Sequence, residues 1–205
     1  MHPPSLFARH EAAHAVVADY LNLPMIDISI VPGVVEGRAI GGCVHLADEL
    51  ETPERLIFAA VTALAARVET DRFNWTGEIP EFTYVIDEQF VRKIAESLDI
   101  PDNKYDEWRS VLLELTSSVL NVAWMKDAIE VVAYQLDLDK TIKPEEVHGL
   151  CEMCKDAFPA ALREVQIDES FIERIQKLRV EIDNARAAPA RSQVTALKVP
   201  DPNRL

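Results

Sequence analysis

The sequence is poor in the features that mark several large protein classes. Its 205 residues include three cysteines, Cys43, Cys151 and Cys154. That number is odd and too small to staple a secreted mini-domain, so they read as reduced thiols. No apolar run approaches the roughly 18 residues that suggest a membrane helix. Met1-His2-Pro3-Pro4 has neither the basic start nor the apolar core of a signal peptide, and we expect a cytoplasmic protein. Positive charge is scarce: 21 Lys and Arg against 35 Asp and Glu give a formal net charge of -14. Such a field repels phosphate backbones and anionic lipid surfaces, and no Lys/Arg cluster offers a local exception, so neither nucleic acid nor membrane is expected as a partner. A GxxxxGK(S/T) phosphate loop, a solenoid-length repeat and a low-complexity tract are all missing.

What is present is an ordinary folding composition. Hydrophobic residues make up 48% and charged residues 27%, too apolar for a wholly disordered chain, and the length suits one compact domain. Leu6 to Leu21 reads as a helix, with Ala13, Val16, Val17, Tyr20 and Leu21 at helical spacing and Asn22 and Pro24 as its stop. Ile26 to Ile30 alternates as a strand does; Pro32-Gly33 then turns the chain into a loop, and Ala39 to Leu46 is a second strand candidate. Its Gly41-Gly42 pair suggests either a bulge or a close backbone approach. Thr52-Pro53 caps a helix running to about Thr70. Helix resumes near Thr83 with Ile86, Phe90, Ile94 and Leu98 as its apolar stripe, and Pro101 closes it. Lys104 to Leu136 carries one or two helices, Lys143-Pro144-Glu145-Glu146 opens another, and Ile167 to Arg186 is a charged amphipathic candidate. The expected fold is mainly helical α+β, with a small strand layer beside the first helix and a helical bundle after it.

One motif carries chemistry. His10-Glu11-Ala12-Ala13-His14 matches HExxH. Residues four apart on a helix sit one turn above each other, so two imidazoles can grip one ion. Glu11 lies about 100° round the helix from His10, beside the ion but outside its ligand set, where a carboxylate can take a proton from water. These residues point to zinc held by His10 and His14, with Glu11 as general base in hydrolysis. His148, Cys151 and Cys154 stand three apart on one expected helix face, but no fourth ligand is near and the thiols read as packing groups. Trp108 and Trp124 read as core, and Trp75 sits in a long loop.

The segment His10-Glu11-Ala12-Ala13-His14-Ala15-Val16-Val17-Ala18 resembles the HEAGHAVVA stretch of the peptidase module of FtsH-type zinc proteases, with Ala13 in place of the glycine. Ile28 to Gly33 is similar to that family's VTIIPRG strand and turn, Ala39-Ile40-Gly41-Gly42 to its ALGYT edge strand, and Ala65-Ala66-Arg67 stands at its GGRAAEE. Asp87 to Ala95 is similar to NDLERATEIA, and Leu138 to Val147 to LLEKETLDGEEI. The resemblance implies Asp87 as third zinc ligand. Thr76-Gly77 stands further from Asp87 than the family's turn does, which keeps Glu78, Glu81, Asp71 and His45 as alternatives. A carboxylate near a helix start also commonly serves only the helix dipole.

The likeness divides the chain into a zinc peptidase domain at 1–154, a helical extension at 155–186 and a flexible tail at 187–205. With no ATPase motor, the implied activity is zinc-dependent hydrolysis of flexible polypeptides or peptides. It leaves room for a separate ATPase partner, for homo-oligomerisation, and for an extended peptide paired to the Ala39–Cys43 edge. The alternatives are a catalytically silent, metal-bound regulatory or binding module of the same fold, and a zinc peptidase of another family that shares only HExxH.

Overall fold

A computed structural model describes residues 3–35, 38–40, 42–46, 50, 52–73 and 81–159, with residues 173, 174, 176, 177, 180, 181 and 184 beyond them. The chain runs α1 (Leu6–Tyr20), β1 (Met25–Ser29), β2 (Gly33–Val35), β3 (Arg38–Ile40), β4 (Cys43–Leu46), α2 (Pro53–Phe73), α3 (Glu81–Ser97), a 3-10 turn (Asp102–Lys104), α4 (Tyr105–Leu120), α5 (Met125–Asp139), β5 (Thr141–Ile142) and α6 (Pro144–Asp156). This is the mainly helical α+β architecture that the patterning suggests. Gly41, Trp75, Thr76, Gly77, Glu78 and the 187–205 tail lie outside the described residues, as does most of the 167–186 segment.

Helix α1 is the centre of the molecule. Ser5 caps it, its hydroxyl accepting from the Ala8 amide at 3.2 Å. The same hydroxyl donates to Asp137 of α5 at 2.7 Å, which fixes the helix start against its neighbour. Asn22, at φ 53°, ends the helix in the left-handed region, and the Asn22 and Leu23 amides return to the Asp19 and Ala18 carbonyls. Every residue from Ala8 to Ala18 is buried, so this stretch of α1 has no solvent face. The amphipathic stripe read from the sequence understates this, because alanines at 8, 12, 13, 15 and 18 let neighbours close in on all sides. Helices α2, α5 and α6 and strands β1 and β4 all pack on it.

The strand layer is an antiparallel sheet of order β4-β1-β5. Its register pairs Asp27 with His45, Ile28 with Val44 and Ile142, and Ser29 with Cys43 and Thr141. Two features differ from the sequence reading. Gly33–Val35, expected as loop, pairs with Arg38–Ile40 as a separate hairpin, so Ala39 to Leu46 is two strands and not one. β5 is two residues long, too short for alternation to reveal it, and forms because Lys140, at φ 66°, turns the chain out of α5 directly onto β1.

Helix α3 differs in its rotation. The expected stripe was Ile86, Phe90, Ile94 and Leu98, yet Phe90 is exposed and Ile86 only half-buried. The buried face is Val91, Ile94, Ala95 and Leu98, a set that turns Asp87 inward. Lys104 to Leu136 resolves into α4 and α5, with Trp108 and Trp124 in the core as expected. Cys151 and Cys154 are free and buried, consistent with packing groups. Among the described residues no helix is long and apolar enough to cross a membrane.

One buried charge cluster lies next to the centre. Glu69 of α2 is 5% exposed, and burial pushes its carboxyl up to about 7, with Arg9 opposing and Glu130 adding to the rise. Arg9 itself reaches Glu130 of α5 at 3.4 Å. The folded chain therefore keeps the Glu69 proton to about pH 7, while the unfolded chain releases it near 4.5. The stability associated with this group is present below pH 4.5 and is lost as pH rises through 7. Glu69→Gln is expected to remove that slope and to stabilise the protein by about 1–2 kcal/mol at pH 8, Arg9 offsetting part of the cost. Thermal melts of both proteins between pH 5 and 8 check this; parallel curves would contradict it.

Candidate metal centre

The helical turn between His10 and His14 sets their rings nearly perpendicular, with centroids 4.6 Å apart. Their Nε2 atoms stand 3.1 Å from each other. Asp87, from the second turn of α3, completes the group: its Oδ2 lies 3.3 Å from His10 Nε2 and 3.5 Å from His14 Nε2. Three donors on a tetrahedral zinc at about 2.0–2.2 Å stand roughly 3.3–3.5 Å from one another, so the triangle has the size of a metal site. Among the described residues these three side chains form the group that can hold a metal ion.

The surroundings favour a cation. His14 Nδ1 donates to the Thr62 carbonyl of α2 at 2.7 Å, which in the neutral ring leaves Nε2 as a lone pair facing the triangle. Asp87 Oδ2 is buried without a well-formed hydrogen bond, and so is His10 Nδ1. Burial works to raise the Asp87 carboxyl, but the His14 charge and contacts with both rings hold it down to about 2. His14 moves the other way: burial would lower it, and Asp87 and Glu11 raise it to about 9. Burial lowers His10. The donor set of two imidazoles and one carboxylate oxygen suits zinc and other late first-row dications.

Glu11 is 5% exposed and packed beside the triangle. Burial pushes its carboxyl up to about 8, with His14 acting to lower it and Asp87 to raise it. Its ceiling is Gly42, just before β4. A Cβ there would lie 2.8 Å from Glu11 Cγ and Oε1 and 2.8 Å from the Ser29 carbonyl. The glycine thus serves close approach, and what approaches is Glu11.

Asp87 sits six residues into α3, beyond the first turn where a carboxylate serves the dipole. The alternatives are elsewhere or undescribed. His45 pairs with Asp27 across β1 and β4 at 2.5 Å, and Asp71 is exposed. Glu78 and the side chain of Glu81 lie outside the described residues. Cys43, whose thiol burial pushes up to about 11, is no ready thiolate. His148 pairs with Asp19 at 3.1 Å instead of joining Cys151 and Cys154 in a second site.

Sequence reasoning missed three supports: the Thr62 carbonyl, Tyr84, whose ring stands 5.8 Å from His10, and Glu88, held by Arg67 and Arg109. None has a local pattern that marks it. Compared with known protein families and with characterised proteins, the chain has no significant match.

Two outcomes are expected from this geometry. With zinc as the probe dication, one ion per chain is expected to bind, His10→Ala and His14→Ala to abolish binding, and Asp87→Asn to weaken it by about 10–100-fold in a chelator competition. Unchanged binding in all three variants would exclude the site. Gly42→Ala should cost about 1–3 kcal/mol of stability by thermal melt, because the Ser29 backbone cannot retreat as a side chain can.

Proposed function

We propose that the protein is a zinc-dependent peptidase that cleaves flexible polypeptides, with His10, His14 and Asp87 as ligands and Glu11 as general base. The observation that carries the reading is the convergence of those three donors with a buried carboxylate beside them, in the order and spacing of an HExxH centre. The resemblance to the FtsH-type peptidase module supports the same assignment.

Bound there, zinc would supply a Lewis acid that polarises a peptide carbonyl and acidifies water. The chain does the rest. Glu11 accepts a proton from the attacking water as its oxygen bonds to the carbonyl carbon. It then delivers that proton to the amide nitrogen as the C–N bond breaks. Burial alone holds the Glu11 carboxyl towards its neutral form, and a dication on the adjacent ligands would favour the ionised form that accepts the proton. Thr62 holds the His14 ring in one orientation throughout. Strand β4 is an edge of its sheet, and Gly42 precedes it against Glu11. An extended peptide added to that edge would therefore run past the base. The segments such a site would take are flexible ones, already extended or delivered by a separate ATPase.

Metal analysis together with digestion of an unfolded protein tests the reading. Glu11→Gln is expected to keep one zinc per chain and to lose about 100-fold or more of the cleavage rate. If zinc-loaded wild type leaves every flexible substrate intact, the fold serves as a metal-bound regulatory module instead.

A further inference from the structure

Among the described side chains, apolar packing is thin in the first half of α3. Val85 is exposed, Ile86 is half-buried, and the first fully buried aliphatic residue described on the helix, Val91, comes a turn after Asp87. The helix also carries two apolar stripes. One is Ile86, Phe90, Ile94 and Leu98; the other is Val91, Ile94, Ala95 and Leu98. At 100° per residue their centres differ by roughly 70° of rotation, enough to move Asp87 out of the triangle.

Glu88 adds a polar anchor to that face. Its Oε2 accepts from Arg109 Nε of α4 at 2.8 Å, and its Oε1 accepts from the second arm of the same guanidinium. Oε1 also accepts from Arg67 Nη1 of α2 at 3.0 Å. One carboxylate thus joins three helices through a bidentate fork and a second arginine, in a partly sheltered position where such pairs are geometrically demanding. Arg67 also reaches over the ring of Tyr84 at 6.0 Å, and that ring faces His10.

We propose that Glu88 is a positioning residue for the metal centre. Clamped by Arg67 and Arg109, it sets the rotation of α3 that keeps the adjacent Asp87 Oδ2 within 3.5 Å of both imidazoles. The inference rests on reading His10, His14 and Asp87 as ligands.

A double-mutant cycle on zinc affinity, read by competition with a chromogenic chelator, tests it. Glu88→Gln is expected to weaken zinc by about 10–100-fold in the wild-type background, and by less than about threefold when Asp87 is already Asn. The cobalt-substituted Glu88→Gln protein should show a visible spectrum shifted towards that of Asp87→Asn, while Glu96→Gln, on the exposed face of α3, should match wild type in both measurements. If Glu88→Gln fails to fold by thermal melt, Arg109→Gln takes its place in the same cycle and leaves Arg67 to hold the helix. Wild-type affinity in the clamp variant, or an equal loss with and without the Asp87 carboxylate, overturns the proposal and leaves the metal site standing. No zinc binding by wild type removes the site itself.

Discussion

The structure turns on the cost of placing His10, Glu11 and His14 inside a stretch of helix with no solvent face. Taking ionisable groups out of water costs several kcal/mol each unless partners replace the lost hydration. Here the replacement is partial. Thr62 satisfies one nitrogen of His14, and Asp87 supplies a charge held ionised by its neighbours. Glu11 is held towards its neutral form, and Asp87 Oδ2 and His10 Nδ1 keep no well-formed hydrogen bond. A protonated His14 paired with Asp87 offsets part of that cost, as their opposite shifts show. A dication at the same point would offset it further and use the lone pairs left over.

That burial is possible because of what surrounds α1. Its alanines bring α2 close enough for the Thr62 carbonyl, which already serves its own helix, to accept a second hydrogen from His14. On the opposite side Gly42 removes the one side chain that would collide with Glu11. Glu11 is therefore confined between the helix it belongs to and the chain just before β4, beside the His10–His14–Asp87 triangle. Small residues in α1 and one glycine before β4 are thus parts of the centre, although neither bears a reactive group.

How much of this the sequence discloses depends on the range of the interaction. The His10–His14 pair follows from helix pitch alone, and so it was legible from five residues. The cap at Ser5–Leu6, the stop at Asn22 and the proline starts of α2 and α6 are likewise local. Asp87 was reached through the order of segments shared with a known family, because nothing near it in the chain names it. The rotation of α3 was misread because Ile86 and Phe90 are as apolar as Val91 and Ala95, and periodicity cannot rank two overlapping stripes. β5 escaped because two residues carry no alternation. The Glu88 clamp joins positions 21 apart on either side, and an ion pair between helices leaves no mark on either helix's own pattern.

The ambiguity of α3 gives the centre a physical character beyond its ligand set. Two ligands sit on one rigid, buried helix and the third on a helix whose hydrophobic face permits another rotation. If the Glu88 clamp sets that rotation, affinity for an ion includes the free energy of holding α3 in the observed orientation. By the same linkage a bound metal would stabilise the folded chain by RT ln(1 + [L]/Kd). The exposed Phe90 follows from this balance. Phe90 is 36% exposed, so burying the remainder would gain only about 0.5–1 kcal/mol, a small amount beside the ion pairs that Glu88 makes in the observed orientation.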